Sequence, residues 1–369
     1  MSSQKFILER SLLRPADIIL TGDKSIVSLG VRFGTMSRYS HAALYVGGTA
    51  IEATLEGVFS KNPQRMIFEK STDVLVLRAK RPLSTEEARV ICSYAQSKVG
   101  SLYALNEAIT VRARSLLNHQ ETKQQFCSRL VALSFKHANF DLANVRNAAF
   151  CTPRQLSLCK AFQPVIGIVR PASEAEIHFA NTEDPARKNL RQIYDWLDKV
   201  RELVTQDQAL AKNWDIQAQN DVNDFLLAHP EHDETVSDFV DQSGYLEFYK
   251  IEEKQNSYRY NPELFMFHLA HAEDQEEFLD DEIDKERDLV YRYALMQEEY
   301  CKLFKKSGLK FFKQHVELYT NLVSEIVIRM GIIRDTLIHL DIEDDNINNL
   351  VDALSKMVAN GKSLINLAK

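Results

Sequence analysis

His41, Glu52 and Cys127 are the side chains here whose types and settings point to nucleophilic chemistry. His41 opens an apolar run, His41–Val46 (H-A-A-L-Y-V), Gly47-Gly48 follows, and Glu52 lies in the next run, Thr49–Ala53 (T-A-I-E-A). Two strand-like runs joined by Gly-Gly predict a hairpin with a two-residue loop. That loop sets a register in which Val46 faces Thr49 and Ala43 faces Glu52. Side chains alternate along a strand, so His41, Ala43 and Glu52 share one face, with Glu52 diagonal to His41. A carboxylate placed there accepts an imidazole N–H, fixes the tautomer and stabilises the imidazolium. Cys127 stands in Gln125-Phe126-Cys127-Ser128-Arg129-Leu130-Val131, after a polar stretch and before residues with helical rhythm. A helix start is expected at Cys127. The helix dipole and a nearby imidazolium lower a thiol pKa there, and first-turn N–H groups can hold an oxyanion. The expected chemistry is attack of a thiolate on a carbonyl, through a thioester.

Each residue also has a plainer reading. A cysteine is usually a small buried apolar side chain, which is the expectation for Cys92, Cys151, Cys159 and Cys301. His41 alone would be a satisfied strand histidine and Glu52 a solvent-facing hairpin residue. Tyr103 is either core or substrate-binding. Arg38, Arg112, Arg114 and Arg129 read as a solvated basic face. The i, i+3 pairs His229/His232 and His268/His271 lack an accompanying metal motif, so no metal is expected. The acidic run Glu273–Asp288 lacks the glycine and spacing of a calcium loop and reads as a solvated helix face.

The surrounding elements divide the chain. Asp17–Leu20 (D-I-I-L), the hairpin, Val74–Leu77 and Val165–Val169 read as strands. Ser84–Lys98, opening with S-T-E-E, reads as a capped helix, and Tyr103–Leu117 and Cys127–His137 as further helices. Beyond residue 180 glycine and proline are scarce. Leu289, Tyr293, Met296, Tyr300, Leu303 and Phe304, then Leu318, Leu322, Ile326 and Ile333, recur at helical spacing. Helices are expected at 187–212, 213–229, 261–307, 310–340 and 344–368. The fold class is α+β for residues 1–175, followed by an acidic all-helical domain at 181–369, in keeping with a chain of 369 residues.

Charge follows the same division. Residues 1–180 carry 23 Lys+Arg against 14 Asp+Glu, while residues 181–369 carry 22 against 38. The dense acid of the second part argues against nucleic-acid binding there. No apolar run reaches the ~18 residues of a transmembrane helix. The first residues, MSSQKFILERSLLRP, contain no secretory h-region, so a cytoplasmic location, or export by a signal-less route, is expected. Five cysteines without a C-x-x-C pair fit reduced thiols rather than a disulfide framework or zinc ribbon.

A family resemblance rests on five short segments in order: Pro15-Ala16-Asp17-Ile18-Ile19-Leu20; Ser40-His41-Ala42-Ala43-Leu44-Tyr45-Val46-Gly47; Ile51-Glu52-Ala53 with Gly57-Val58; Gly100-Ser101-Leu102-Tyr103-Ala104-Leu105; and Phe126-Cys127-Ser128-Arg129-Leu130-Val131, with Thr152-Pro153-Arg154-Gln155-Leu156 beyond. Over roughly residues 12–170 this resembles the circularly permuted branch of the NlpC-type papain-like superfamily, in particular its YiiX-like cysteine hydrolases. There the His strand and acid strand precede the Cys helix, as here. Ala104 departs from the aspartate common in that family. The resemblance implies a permuted papain-like domain with a Cys127–His41–Glu52 triad, no cofactor, and hydrolysis of amides in peptides or peptidoglycan fragments. A lipid-directed acyltransferase or thioesterase of the lecithin:retinol acyltransferase type is the alternative, although that group carries a second histidine where Glu52 stands. A third reading is an inactive papain-like binding module, with the helical domain engaging a protein partner.

Overall fold

Short apolar runs bounded by turn residues fold as strands: β1 (Phe6–Leu8), β2 (Ile18–Thr21), β3 (His41–Tyr45), β4 (Ala50–Thr54), β5 (Gly57–Lys61), β6 (Val74–Ala79), β7 (Phe162–Pro164) and β8 (Val169–Pro171). The structure, a computed structural model, describes residues 4–22, 38–104 and 123–367. Six strands form one antiparallel sheet in the order β5-β4-β3-β2-β6-β7, and β1 pairs with β8. Gly47 and Gly48 have φ of 86° and 71°. This left-handed backbone is what a two-residue type I′ hairpin requires and what glycine adopts without strain. The resulting register is the one expected, with Ala43 opposite Glu52, Leu44 opposite Ile51 and Tyr45 opposite Ala50.

Both faces of this sheet are covered. Ile18, Leu20, Ala42, Leu44, Ile51 and Val58 pack with Ile91, Leu130, Val131 and Phe135 on one side. Ile19, Ala43, Tyr45, Val74 and Val76 pack with Leu8, Phe68 and Ile168 on the other. Burial on two faces explains why the strands read as continuous rather than alternating apolar runs. Helix Thr85–Gln96 begins at the Ser84–Glu87 capping box, and helix Cys127–His137 starts at the expected residue. The expected strand Val165–Val169 is instead mostly the turn between β7 and β8: Val165–Ile168 connect them, with Gly167 at φ 78°, and only Val169 belongs to a strand. The expected helix Tyr103–Leu117 lies outside the described residues beyond Ala104.

Two compact units divide the chain, Met1–Asn223 and Asp224–Lys369. The first ends later than the 175–181 junction suggested by composition. Helix Pro185–Gln206 buries Tyr194, Trp196, Leu197 and Val200, and Tyr194 stacks on Phe59 of β5 with ring centroids 4.9 Å apart. Local acids interrupt the expected long helices. Asp207 caps a new helix, Gln208–Asn213, by accepting from the Ala209 and Leu210 N–H groups, and Asp274 caps Gln275–Ser307 through the Glu277 N–H.

In the second unit, helices Gln275–Ser307, Lys310–His339 and Asp345–Leu367 bury Leu318, Leu322, Ile326, Ile333, Val351 and Leu354. The acidic run is only partly a solvated face. Glu282 and Glu286 are 1% and 0% exposed. Arg259 donates to Glu282 at 2.7 Å and to Glu286 at 2.5 Å, and Arg329 grips Glu286 with two bonds of 2.7 and 2.8 Å. These two turns of the helix face inward, where a carboxylate is tolerated only with cations on it. Glu286→Ala leaves the buried Arg329 guanidinium without its carboxylate and removes one of those on Arg259, and an expected loss of about 3–5 kcal/mol follows. Urea unfolding monitored on the helical signal measures it; a loss below about 1 kcal/mol would show that the network contributes little.

Candidate active site

Strands β3 and β4 bring His41 and Glu52 together. Glu52 is held by the Ala43 pairing on one side and by Phe59 of β5 on the other. His41 Nε2 lies 2.9 Å from Glu52 Oε2. Glu52 is 9% exposed, so this carboxylate is enclosed rather than lying on the solvent side of a hairpin. Lys61 Nζ, from β5, lies 3.9 Å from its other oxygen.

Cys127 arrives from a different layer. The β2–β3 ladder runs on to Thr21 opposite His41, whereas the β3–β4 ladder stops at Ala43 opposite Glu52. The start of helix Cys127–His137 meets β3 at this end. Cys127 Sγ lies 4.0 Å from the Ser40 carbonyl oxygen, and the backbone groups of Ala42 and Ser128 favour its thiolate. The side chains of His41 and Cys127 are close enough for each to shift the other's titration. Because Nε2 is engaged by Glu52, Nδ1 is the ring nitrogen left for Cys127. Phe126, the helix N-cap, provides no side-chain cap, so first-turn N–H groups remain available to a ligand.

The electrostatics favour an ion pair. Burial opposes charge on His41, but the hydrogen bonds and negative charges of Cys127 and Glu52 outweigh it and raise the imidazole to about 10. Burial would raise Glu52; the His41 hydrogen bond and charge, with those of Lys61 and Arg187, bring it down to about 2. For Cys127 burial is again opposed, by the His41 hydrogen bond and charge and by the two backbone donors, and the thiol falls below its ordinary value. Three of the other cysteines behave oppositely. Burial raises Cys151, Cys159 and Cys301. No disulfide joins any of the five.

The neighbouring residues sort differently from their sequence readings. Tyr103 is half-buried beside the site; burial and then the charge on Cys127 raise its phenol. Arg129 is 1% exposed, not part of a solvated basic face. It donates to the Ala149 carbonyl at 2.7 Å and the Gln124 carbonyl at 2.8 Å and lies over Phe126 and Phe150, so it braces the loops around Cys127. Arg38 is exposed, while Arg112 and Arg114 lie outside the described residues. His229 pairs with Glu231, and His271 with the Phe267 carbonyl. Lys61 and Arg187 escaped sequence reasoning. Lys61 could have been found by extending the hairpin to β5, because it falls on the Glu52 face; Arg187, more than 130 residues along, left no such signal.

Neither a family model nor a curated protein matches the chain. Among solved structures that align with it is the crystal structure of metalloprotein yiiX from Escherichia coli O157:H7, DUF1105, at 15% identity and a TM-score of 0.28. The alignment covers 41% of this chain and 96% of that one. Among the described residues here, no group of three or more His, Cys, Asp or Glu side chains is arranged to hold a metal ion. No helix among them is long and apolar enough to cross a membrane.

Proposed function

We propose that this chain is a cysteine hydrolase with a permuted papain-like core, acting on the amide bond of a peptide or peptidoglycan-like substrate. The observation that carries the reading is the imidazole of His41, 2.9 Å from the Glu52 carboxylate and close enough to Cys127, at an uncapped helix start, for each to shift the other's titration. In this mechanism the Cys127 thiolate attacks the carbonyl carbon. The oxygen takes up negative charge and accepts N–H bonds from the first turn of the helix. The His41 imidazolium gives its proton to the leaving amine, the C–N bond breaks, and a thioester remains on Cys127. Neutral His41 then takes a proton from water, hydroxide adds to the thioester, and Cys127 leaves as thiolate while His41 is again protonated. Glu52 keeps the imidazole oriented and stabilises its charged form throughout.

Glu52, rather than a second histidine, favours amide over lipid substrates. Incubating wild type and Cys127→Ala separately with a peptide-amide library and with phospholipid vesicles tests the substrate class. Peptide cleavage by wild type alone is expected. Turnover of lipid alone would replace the amidase reading with acyl transfer. Turnover of neither, together with a Cys127 no more reactive than Cys92, would leave a binding module.

A further inference from the structure

We infer that the segment from Pro185 to Asp221, which follows the strands and helices of the proposed hydrolase core, is part of the catalytic apparatus. Arg201, Gln217 and Tyr194 act as positioning residues for Cys127. This rests on the cysteine-hydrolase reading and adds to it a set of residues that touch no reacting atom.

The connection runs through the backbone of Gly100–Tyr103. Gly100 has φ 96°, and a Cβ there would come within 2.7 Å of Leu197 Cδ1, so the segment lies directly against helix Pro185–Gln206. Its hydrogen bonds are shared between β5 and that helical segment. Gly100 N–H donates to the Val58 carbonyl and Val58 N–H to the Ser101 carbonyl. The Tyr194 hydroxyl reaches the same two carbonyls, at 3.0 Å to Val58 and 3.2 Å to Ser101. Arg201 donates to the Gly100 carbonyl at 2.7 Å and, with the rest of its fork, to the carbonyls of Ile216 at 3.0 Å and Gln217 at 2.6 Å. Gln217 Oε1 accepts from the Leu102 N–H at 3.1 Å.

The next bonds lead to the nucleophile. Gln125 N–H donates to the Leu102 carbonyl at 2.9 Å, and Ala104 N–H donates to the Gln125 carbonyl at 2.8 Å, pairing Tyr103 with Gln125 as a parallel bridge. Gln125 stands two residues before Cys127. Asp221 adds a second tie: it accepts from the Gln217 and Ala218 N–H groups and pairs with Lys123 at 3.0 Å. The stretch that carries Tyr103 and the turn that delivers Cys127 are thus both anchored to residues 194–221. A planar guanidinium that satisfies three carbonyls on two segments fixes their separation more tightly than a single bond would. A nucleophile works only when held within about 0.5 Å of its productive position relative to its base.

The test uses the full chain carrying Tyr194→Phe, Gln217→Met or Arg201→Lys. Tyr194→Phe removes one oxygen and leaves the ring on Phe59, so it keeps the test open if Arg201→Lys disturbs folding. The rate of Cys127 alkylation by iodoacetamide is measured against pH, beside the thermal unfolding midpoint. Displacing Cys127 from His41 raises its apparent pKa. We therefore expect a fall of roughly threefold to tenfold in alkylation rate near pH 6, with rates converging above pH 9. A lower midpoint with an unchanged pH profile in Tyr194→Phe and Gln217→Met would show a structural role only and overturn the inference. Failure of the underlying reading looks different: Cys127 of the wild type itself would then react no faster than Cys92 or Cys151.

Discussion

Cys127→Ala is expected to remove turnover by about 10⁶-fold, or about 8 kcal/mol of transition-state stabilisation, the scale seen when a triad nucleophile is lost. The magnitude follows from the geometry. In the proposed mechanism Cys127 supplies the attacking atom, places the acyl group beside the helix-start N–H groups, and holds the proton on His41, so no other side chain would substitute for it. Cys127 is as buried as Cys92, at 4% against 6% exposed, so thiolate character rather than access separates the sites: burial pushes the Cys151, Cys159 and Cys301 thiols up, whereas Cys127 is held down. Near neutral pH, stoichiometric iodoacetamide should therefore modify one site in wild type and none in Cys127→Ala, as read by intact mass. His41→Ala should leave Cys127 present but slow, because the imidazolium that lowers its pKa is gone. Equal labelling of wild type and Cys127→Ala would remove the assignment.

Glu52→Gln should lower turnover by about 10³-fold, within the 10²–10⁴ range of positioned acid–base groups, and should narrow the pH profile from both sides. His41 titrates near 10 because Cys127 and Glu52 together overcome its burial. Without the carboxylate charge, its pKa falls and the alkaline limb of turnover moves down from about 10. A weaker imidazolium leaves Cys127 less acidic, so the acid limb moves up. Stability follows with matching signs. His41 is raised from 6.5, so its contribution is complete below about pH 6.5 and is lost as pH rises through about 10. Glu52 is lowered from 4.5, so its contribution is complete above about pH 4.5 and is lost as pH falls through about 2. Alkylation of Cys127 has no alkaline limb, since the thiolate persists there, and comparing the two profiles separates the nucleophile from the general acid. A Glu52→Gln profile that overlays wild type would exclude an orienting role for this carboxylate.

Much of the site was readable because its signals are local. A Gly-Gly pair between apolar runs permits one tight hairpin, and period-two alternation then fixes which residues face Glu52. The helix at Cys127 was readable from the change of rhythm after Phe126. Other features were not readable, for equally physical reasons. Glu282 and Glu286 resemble their solvated neighbours in sequence; only the positions of Arg259 and Arg329 make them interior. Arg129 looked like a surface cation because nothing nearby in sequence shows the carbonyls of Gln124 and Ala149 turning toward it. That Val165–Ile168 turn between β7 and β8 instead of continuing as a strand depends on what lies beside them.

Taken by itself, the sequence determined the α+β character of the first part, the helical character of the second, the His41–Glu52 register and the helix start at Cys127. Each follows from interactions among residues a few positions apart. Only the tertiary structure decided that Cys127 meets His41, which are 86 positions apart, at the end of the β3–β4 ladder. It also decided that the first unit extends to Asn223 and that residues 194–221 hold the backbone beside the nucleophile. Those outcomes depend on which buried surfaces and backbone carbonyls find one another once the sheet closes, and neither spacing nor composition carries that information.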